Sequence, residues 1–355
     1  MIVYLFVLLA FCISTYSARY CESKFWCRVL LAIPFVCAVL VAGLRDRAVG
    51  TDSGGYVRIL ERTASFEDVL EKTAATGEFG FSFLTFCVRV ISTHYLLYFI
   101  VLAVIVVGFY YRSIYSYSLN KVVSLYLFVT MGFYTFFFNG ARQGIACAIC
   151  AVSIGALVKR RFVPYCLIVL CAALFHKSAI IMLPVYFLVV RRSNWMTVSA
   201  YCCFAVAIAL SMESLVGFAS EFDSRYASYA VSGEGGGVLI VAFNVLLALF
   251  FFSQKKSVKL SRYTYEIYLN MLILGALAGL VSALLKVNPS GILRFLMYFN
   301  VSVIFLWPIV FRNIREDSQR LTYQCVFYIG YLVFFILTTM RFSNLVPYII
   351  NDSLK

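Results

Sequence analysis

The chain alternates between long apolar runs and short polar segments from one end to the other. The runs are about 17 to 25 residues long, which is the length a helix needs to cross a bilayer core of about 30 Å. They lack the alternation of barrel strands, and only helices or closed barrels satisfy their backbone groups in lipid. The pattern therefore predicts an all-α polytopic membrane protein with about twelve transmembrane helices in a single transmembrane domain, residues 1–355.

The predicted spans share high hydropathy and contain few charged residues. They are 1–16, 25–44, 81–111, 122–138, 141–158, 162–175, 178–190, 195–216, 238–252, 265–285, 292–311 and 321–340. The run 81–111 is longer than one crossing requires and is interrupted by Ser92, Thr93 and His94. It is either one long tilted helix or a short re-entrant piece followed by a span.

Composition excludes a soluble globular protein, because 63% of the residues are hydrophobic, 13% are charged and the mean hydropathy is +0.91. The net charge of +14 is unevenly distributed: one set of loops holds 17 of the 30 basic residues and four acidic residues. Basic residues resist translocation, so this set faces the cytoplasm and both termini face outward. The excess charge thus predicts topology rather than a nucleic-acid partner.

The two longest loops, residues 45–80 and 217–237, then lie on the outer side. Arg45 and Arg47 lead into a glycine-rich stretch, 50–55. Two arginines so close to the membrane surface can form a bidentate clamp for phosphate, while the glycines let backbone N–H groups approach an anion. A merely solvated loop is the structural alternative.

The same loop carries two helix patterns. One helical face is formed by Tyr56, Ile59, Leu60 and Thr63, which predicts a short helix on the membrane interface. Ser65 and Asp68 have the spacing of a capping box, which predicts the start of a second helix.

Two polar positions, Arg142 and His176, lie at the outer end of a predicted hairpin of spans. An arginine just inside a membrane helix costs at least about 2.5 kcal/mol, so it normally faces a cavity, a partner or an anion. His176 can accept a proton near neutral pH and is a candidate general base. For both residues, an interfacial position without function is the alternative.

Arg294 begins another span from the outer side and supplies a third cation there. Several cations directed to one site would suit a pyrophosphate, whose charges need multiple donors. Snorkelling to the interface remains the alternative for each arginine taken singly.

Five short motifs follow one another within residues 40–180. They are GLRD at 43–46, GTD at 50–52 with Tyr56, EFGF at 78–81, RQ at 142–143 with Ala146, and FHKSA at 175–179. In order and spacing they resemble the EpsG-like branch of the Wzy-type polysaccharide polymerases. One departure is Phe79, where members of that family often have proline.

The resemblance implies a GT-C-like polymerase architecture in the bacterial inner (cytoplasmic) membrane, with the active site facing the periplasm. It implies that a glycan on undecaprenyl pyrophosphate is transferred to a hydroxyl of a lipid-linked repeat unit of O-antigen, capsule or exopolysaccharide. Besides these lipid-linked substrates and the bilayer, a chain-length regulator is a partner that the resemblance allows.

The roles that this chemistry requires are assigned to residues as follows. The catalytic residues are His176, Arg142 and Arg294, and the substrate-binding residues are Arg45, Arg47, Asp52, Tyr56, Glu78, Gln143 and Lys177. His176 is the base, with Asp52 or Glu78 as its alternative, and Arg142 and Arg294 hold the pyrophosphate.

No cofactor or metal is expected, because the chain contains no Asp-x-Asp motif. Glu221 and Asp223 form a close acidic pair on the outer side, and a divalent ion held by that pair and Asp52 would restore a metal-assisted version.

Three other classes stay open. A flippase or other transporter would also have many spans, but usually with internal repeats and discontinuous helices at the midplane. A membrane acyltransferase could also pair histidine with arginine, but its acyl donor would enter from the cytoplasmic side. A structural scaffold would leave the outer arginines without a purpose.

Overall fold

The computed structural model describes residues 1–190, 196, 199–208, 236–285, 289–341 and 344–351. Every regular element in these ranges is helical, apart from one isolated antiparallel bridge between Arg45 and Ile350. The helices of the first part are α1 (Ile2–Ser17), α2 (Lys24–Gly43), α3 (Ser53–Glu61), α4 (Phe66–Thr76), α5 (Phe79–Ile91), α6 (Tyr95–Tyr117), α7 (Lys121–Thr130), α8 (Phe133–Asn139), α9 (Ala141–Val158) and α10 (Phe162–Phe175). Those that follow are α11 (Met182–Val189), α12 (Ser199–Ile208), α13 (Gly236–Gln254), α14 (Arg262–Leu284), α15 (Pro289–Asn313) and α16 (Asp317–Arg341).

Within the described ranges, nine helical segments are long and apolar enough to cross a membrane. They confirm the predicted class, an all-α polytopic membrane protein. Further apolar helices are shorter, among them α10, the segment Lys177–Val189 and α12. Half of the predicted span 195–216 and most of the outer loop 217–237 lie outside the described residues, and the last two residues of that loop already belong to α13. The total of twelve crossings therefore stays a prediction.

Two predicted spans are interrupted. The run 81–111 forms two helices, α5 and α6. Of the two alternatives that the sequence left open, the single long tilted helix is therefore wrong. His94 caps α6 by accepting the N–H of Leu96 at 3.2 Å. The run 122–138 is broken between α7 and α8, where Gly132 has a φ of +81°. Glycine adopts this conformation without strain, so it marks the break.

The two short helices predicted in the first outer loop are present as α3 and α4. At the start of α4 the Ser65 side chain accepts the N–H of Asp68, and the Asp68 carboxylate accepts the N–H of Ser65. This is the predicted capping box. Helix α4 ends at Gly77, whose φ of +75° turns the chain toward α5.

The helices form two compact units. The first comprises Met1–Ala156, Val163–Ile180 and Arg315–Lys355, and the second comprises Leu157–Phe162 and Ile181–Ile314. In the first unit, Gly43 lets α2 approach α6, because a Cβ there would lie 2.3 Å from Cγ1 of Ile100. In the second, Gly275 lets α14 approach α15 in the same way.

Both ends of the chain lie beside the first outer loop in the first unit. The hydroxyl of Tyr4, near the start of α1, donates to the carbonyl of Leu345 at 2.9 Å. The N–H of Asn351 donates to the carbonyl of Leu44 at 3.0 Å, just after α2. The start of α1 and residues 344–351 are therefore packed against this loop, while the side of the membrane on which they lie stays a prediction.

Candidate functional site

Glu78 lies in the short connection between α4 and α5, at the position that precedes the first residue of α5. Its side chain is only 3% exposed, although it is ionisable. Burying a carboxylate costs free energy unless it is paired with a cation and hydrogen-bonded. The residues that partner Glu78 are therefore central to the local structure.

The partners of Glu78 are the two polar residues predicted at the outer end of the helix hairpin. Nη1 of Arg142, in the first turn of α9, donates to Oε2 of Glu78 at 2.7 Å. Nδ1 of His176, which follows α10, lies 2.5 Å from Oε1. One carboxylate therefore joins two side chains that are 64 and 98 residues away along the chain. We call Glu78, Arg142 and His176 the outer triad.

The two partners are only partly buried, with 31% of the Arg142 side chain and 26% of the His176 side chain exposed. The carboxylate thus lies behind them and is shielded by them from solvent. Burial by itself raises the pKa of Glu78, but the hydrogen bond with His176 and the charge of Arg142 outweigh it, so the pKa is lowered overall. Glu78 is therefore an anion near neutral pH, and it orients both partners.

The neighbouring loop fixes the start of α9. The Tyr56 hydroxyl, on α3, accepts the backbone N–H of Ala141 at 2.8 Å. Ser53 donates to the carbonyl of Phe138 at 3.2 Å. These contacts satisfy groups at the junction of α8 and α9, immediately before Arg142, so the loop sets the position of that arginine.

Helix α5 is held close to α10 on the other side of the site. A Cβ on Gly80 would lie 3.0 Å from Cβ of Leu174 and 3.1 Å from its carbonyl oxygen. Only a residue without a side chain fits this approach without displacement. Because Glu78 immediately precedes α5 and His176 follows α10, this packing sets the distance between them.

The other predicted site residues are distributed differently. Arg45 does not form the surface clamp predicted with Arg47, because Arg45 is fully buried while Arg47 is exposed. The Arg45 guanidinium carbon lies 4.0 Å from the ring centre of Phe99 and 4.1 Å from that of Phe138. Burial lowers the pKa of Arg45 to about 10, which leaves it protonated at neutral pH.

Asp52 is the residue before α3 and is partly exposed, and Tyr56 is buried at the end of α9. Gln143 is 4% exposed, so the helix buries it beside Arg142. Lys177 is exposed and adjacent to His176. The first unit therefore brings together the outer triad, with Lys177 and Gln143 as sequence neighbours of its members.

Arg294 lies in α15 and is partly exposed, but it belongs to the second unit. Its participation in the same site stays a prediction. Glu221 and Asp223 lie outside the described residues, and within the described part of the chain no group of three His, Cys, Asp or Glu could hold a metal ion.

The central position of Glu78 is the feature that sequence reasoning did not find. Glu78 was predicted to bind substrate or to replace His176 as base, not to hold Arg142 and His176 together. One signal was present in the sequence: Glu78 begins the EFGF motif, directly before an apolar helix. A carboxylate at such a position is rarely buried unless another segment supplies its partner.

Fold and site together define a polytopic α-helical membrane protein with a buried carboxylate between an arginine and a histidine at one end of its first unit. A family model matches residues 28–350, and the chain belongs to the EpsG family. This family is associated with polysaccharide-polymerase activity. No curated protein and no solved structure matches the chain.

Proposed function

We propose that this protein is a Wzy-type polymerase of the bacterial inner membrane. It transfers an undecaprenyl-pyrophosphate-linked glycan onto a lipid-linked repeat unit at the periplasmic face. The observation that carries the proposal is the outer triad: a buried Glu78 that holds a histidine and an arginine side by side.

In this reaction His176 is the general base. With Glu78 accepting a hydrogen bond from Nδ1–H of His176, Nε2 is the nitrogen left to accept a proton from the attacking hydroxyl. The same arrangement of carboxylate, imidazole and hydroxyl supports hydroxyl activation in serine hydrolases. When His176 becomes an imidazolium, the adjacent Glu78 anion stabilises it.

Arg142 stabilises the leaving group. The acceptor oxygen forms a bond to the anomeric carbon of the donor while the bond from that carbon to the pyrophosphate oxygen breaks. The hydroxyl proton passes to His176, and undecaprenyl pyrophosphate leaves with the electron pair. The charge that develops on the pyrophosphate is met by the exposed part of Arg142, with Lys177 beside it. Arg294 and Arg47 are further candidates for this role.

The experiment is polymerisation by the purified protein in liposomes that contain lipid-linked repeat units. We expect a ladder of glycan products from the wild type and none from Arg142→Ala or His176→Ala. The matched controls are Arg62→Ala and His94→Asn. Arg62 is exposed at the end of α3, and Asn can replace His94 as a helix cap, so both controls should polymerise normally.

The alternative classes give different results in the same liposomes. A transporter would move the lipid-linked unit between leaflets without lengthening it, and an acyltransferase would modify it only when an acyl donor is added. We expect chelation of divalent ions to leave polymerisation unchanged. A wild-type protein that binds its substrate but makes no polymer would refute the proposal, and so would variants at Arg142 and His176 that polymerise normally.

A further inference from the structure

Residues 344–351 run along the first outer loop as an extended segment. Arg45 and Ile350 form an isolated antiparallel bridge, and the two backbone hydrogen bonds beside it measure 2.8 and 3.0 Å. The N–H of Gly50 donates to the carbonyl of Asn344 at 2.8 Å. The segment is therefore hydrogen-bonded to the loop at both of its ends, although about 300 residues separate the two in sequence.

Two tyrosines attach the same segment to the ends of α1 and α2. The hydroxyl of Tyr348 donates to the carbonyl of Val41 at 2.8 Å, and that of Tyr4 donates to the carbonyl of Leu345 at 2.9 Å. The two rings pack edge to face with their centres 5.9 Å apart. The segment thus joins the loop to two membrane helices.

The loop in turn reaches the outer triad. Gly50 approaches Asn139 so closely that a Cβ would lie 2.6 Å from Oδ1. Tyr56, a few residues later, holds the N–H of Ala141. A continuous series of contacts therefore leads from residues 344–351 through the loop to the first turn of α9, which carries Arg142.

Arg45 lies inside this series. It donates to the carbonyl of Ala42 at the end of α2, and its guanidinium stacks between the rings of Phe99 and Phe138. Among the described residues, its Nε and Nη2 atoms have no hydrogen-bond partner, while both rings lie close to its guanidinium carbon. A flat cation between two rings fixes α8 relative to α2 and α6, which a flexible lysine ammonium does not do.

We propose that residues 344–351 form a strap that positions Arg142, with Arg45 as the internal support of the loop that the strap holds. This inference rests on the proposed function for the role of Arg142, and it changes Arg45 from a phosphate ligand to a positioning residue. Both elements act on catalysis through the start of α9, without touching the substrate.

The test uses two single variants and a deletion in the full membrane protein. Tyr348→Phe removes the bond to Val41, Arg45→Lys keeps the charge but loses the planar stack, and a chain ending at Arg341 lacks the strap. Tyr16→Phe is the matched control. Among the described residues, the Tyr16 hydroxyl makes its hydrogen bond with the nearby Tyr20 hydroxyl, at the exposed end of α1.

The first measurement is amide hydrogen exchange, which does not depend on activity. In the strap and Arg45 variants we expect exchange of the amides at 45–61 and 139–144 to accelerate by about tenfold or more, while α14 stays unchanged. The Tyr16→Phe protein should match the wild type. If the truncated protein does not insert into the membrane, hydrogen exchange is measured on the two single variants alone.

The second measurement separates kcat from KM. A displaced cation near the reacting bond lowers kcat, by up to about 10²-fold for a shift of about 1 Å, and leaves KM for the lipid-linked unit nearly unchanged. If Arg45 bound phosphate, the Arg45→Lys variant would instead raise KM and leave kcat nearly unchanged, because lysine keeps the charge but not the bidentate contact.

The outcomes separate the two proposals. Unchanged exchange at 139–144 in all strap variants would overturn the strap, and so would a rise in KM at constant kcat for Arg45→Lys. If Arg142→Ala still polymerises while the strap variants accelerate exchange, the proposed function fails and the structural coupling stands.

Discussion

Replacing Glu78 by glutamine tests the central feature of the site with the smallest change in shape. The carboxylate accepts one hydrogen bond at each oxygen, from Arg142 and from His176. Glutamine has one acceptor oxygen and one NH₂ group, so if the oxygen stays with Arg142, the NH₂ group faces Nδ1 of His176. That contact is either donor against donor or forces the imidazole hydrogen onto Nε2, where the base is needed. Glu78→Gln therefore keeps the volume and loses one charge-assisted hydrogen bond together with the negative charge.

The size of the effect follows from the geometry. A hydrogen bond to a charged group contributes about 1.5 to 3 kcal/mol. Both partners are partly exposed, at 31% and 26%, so water replaces part of the lost interaction and the lower end of this range applies. A loss of about 1.5 to 2 kcal/mol in the orientation of His176 or Arg142 corresponds to about a 10- to 30-fold fall in kcat.

The assay is initial polymerisation rate in liposomes at saturating lipid-linked substrate, corrected for the folded fraction. Glu71→Gln is the control, because Glu71 is exposed on α4 and the substitution is chemically the same. It should polymerise at the wild-type rate. A Glu78→Gln protein with wild-type kcat at an equal folded fraction would refute the idea that this carboxylate orients the base and the cation.

The lowered pKa of Glu78 also predicts how stability depends on pH. Its folded-state pKa lies below the ordinary value of 4.5, so the unfolded chain binds the proton more readily. The stabilisation by Glu78 is therefore fully present above pH 4.5 and is lost as the pH falls through the lower, folded-state value. The difference in thermal unfolding temperature between wild type and Glu78→Gln should therefore shrink as the pH falls below 4.5. A difference that persists unchanged at the lowest pH tolerated by the fold would contradict this.

Three further predictions concern the loop that supports the site. Gly50→Ala should lower the free energy of unfolding by about 1 to 3 kcal/mol, because it adds backbone strain and a Cβ 2.6 Å from Oδ1 of Asn139. Gly77→Ala adds the same kind of strain in open space, so in the same denaturation experiment it should cost only about 1 kcal/mol. Tyr56→Phe should leave a buried N–H without its acceptor, cost about 1 to 3 kcal/mol and reduce polymer yield, which thermal unfolding and product gels measure together. Ser65→Ala should remove the cap of α4 at a cost of about 1 kcal/mol in unfolding and leave kcat unchanged.

Local patterns predicted the elements whose causes are local. The apolar runs located the long membrane helices because helix length must match bilayer thickness. The spacing of Ser65 and Asp68 located the start of α4, since a capping box involves only neighbouring residues. The break at Gly132 was not predicted, because a glycine within the apolar run 122–138 does not by itself distinguish a broken span from a continuous one.

The roles of Arg45 and Tyr56 could not be predicted in this way. A charged residue next to a membrane span is usually exposed, and the burial of Arg45 depends on Phe99 and Phe138 from two other helices. Tyr56 was correctly assigned to a short helix, yet its hydroxyl partner lies 85 residues away. Both contacts arise only when the loop closes on the helices.

From the amino-acid sequence alone this chain is recognisable as an all-α membrane protein, and Arg142 and His176 stand out as unusual polar residues at the ends of predicted spans. The tertiary structure adds that Glu78 binds both of these residues and that Arg45 is buried instead of lying at the surface. The physical reason is that lipid-facing and protein-facing positions of a membrane helix are equally apolar, so hydropathy reports burial from water but not which helices meet. The partner of a polar side chain is decided by packing between distant segments.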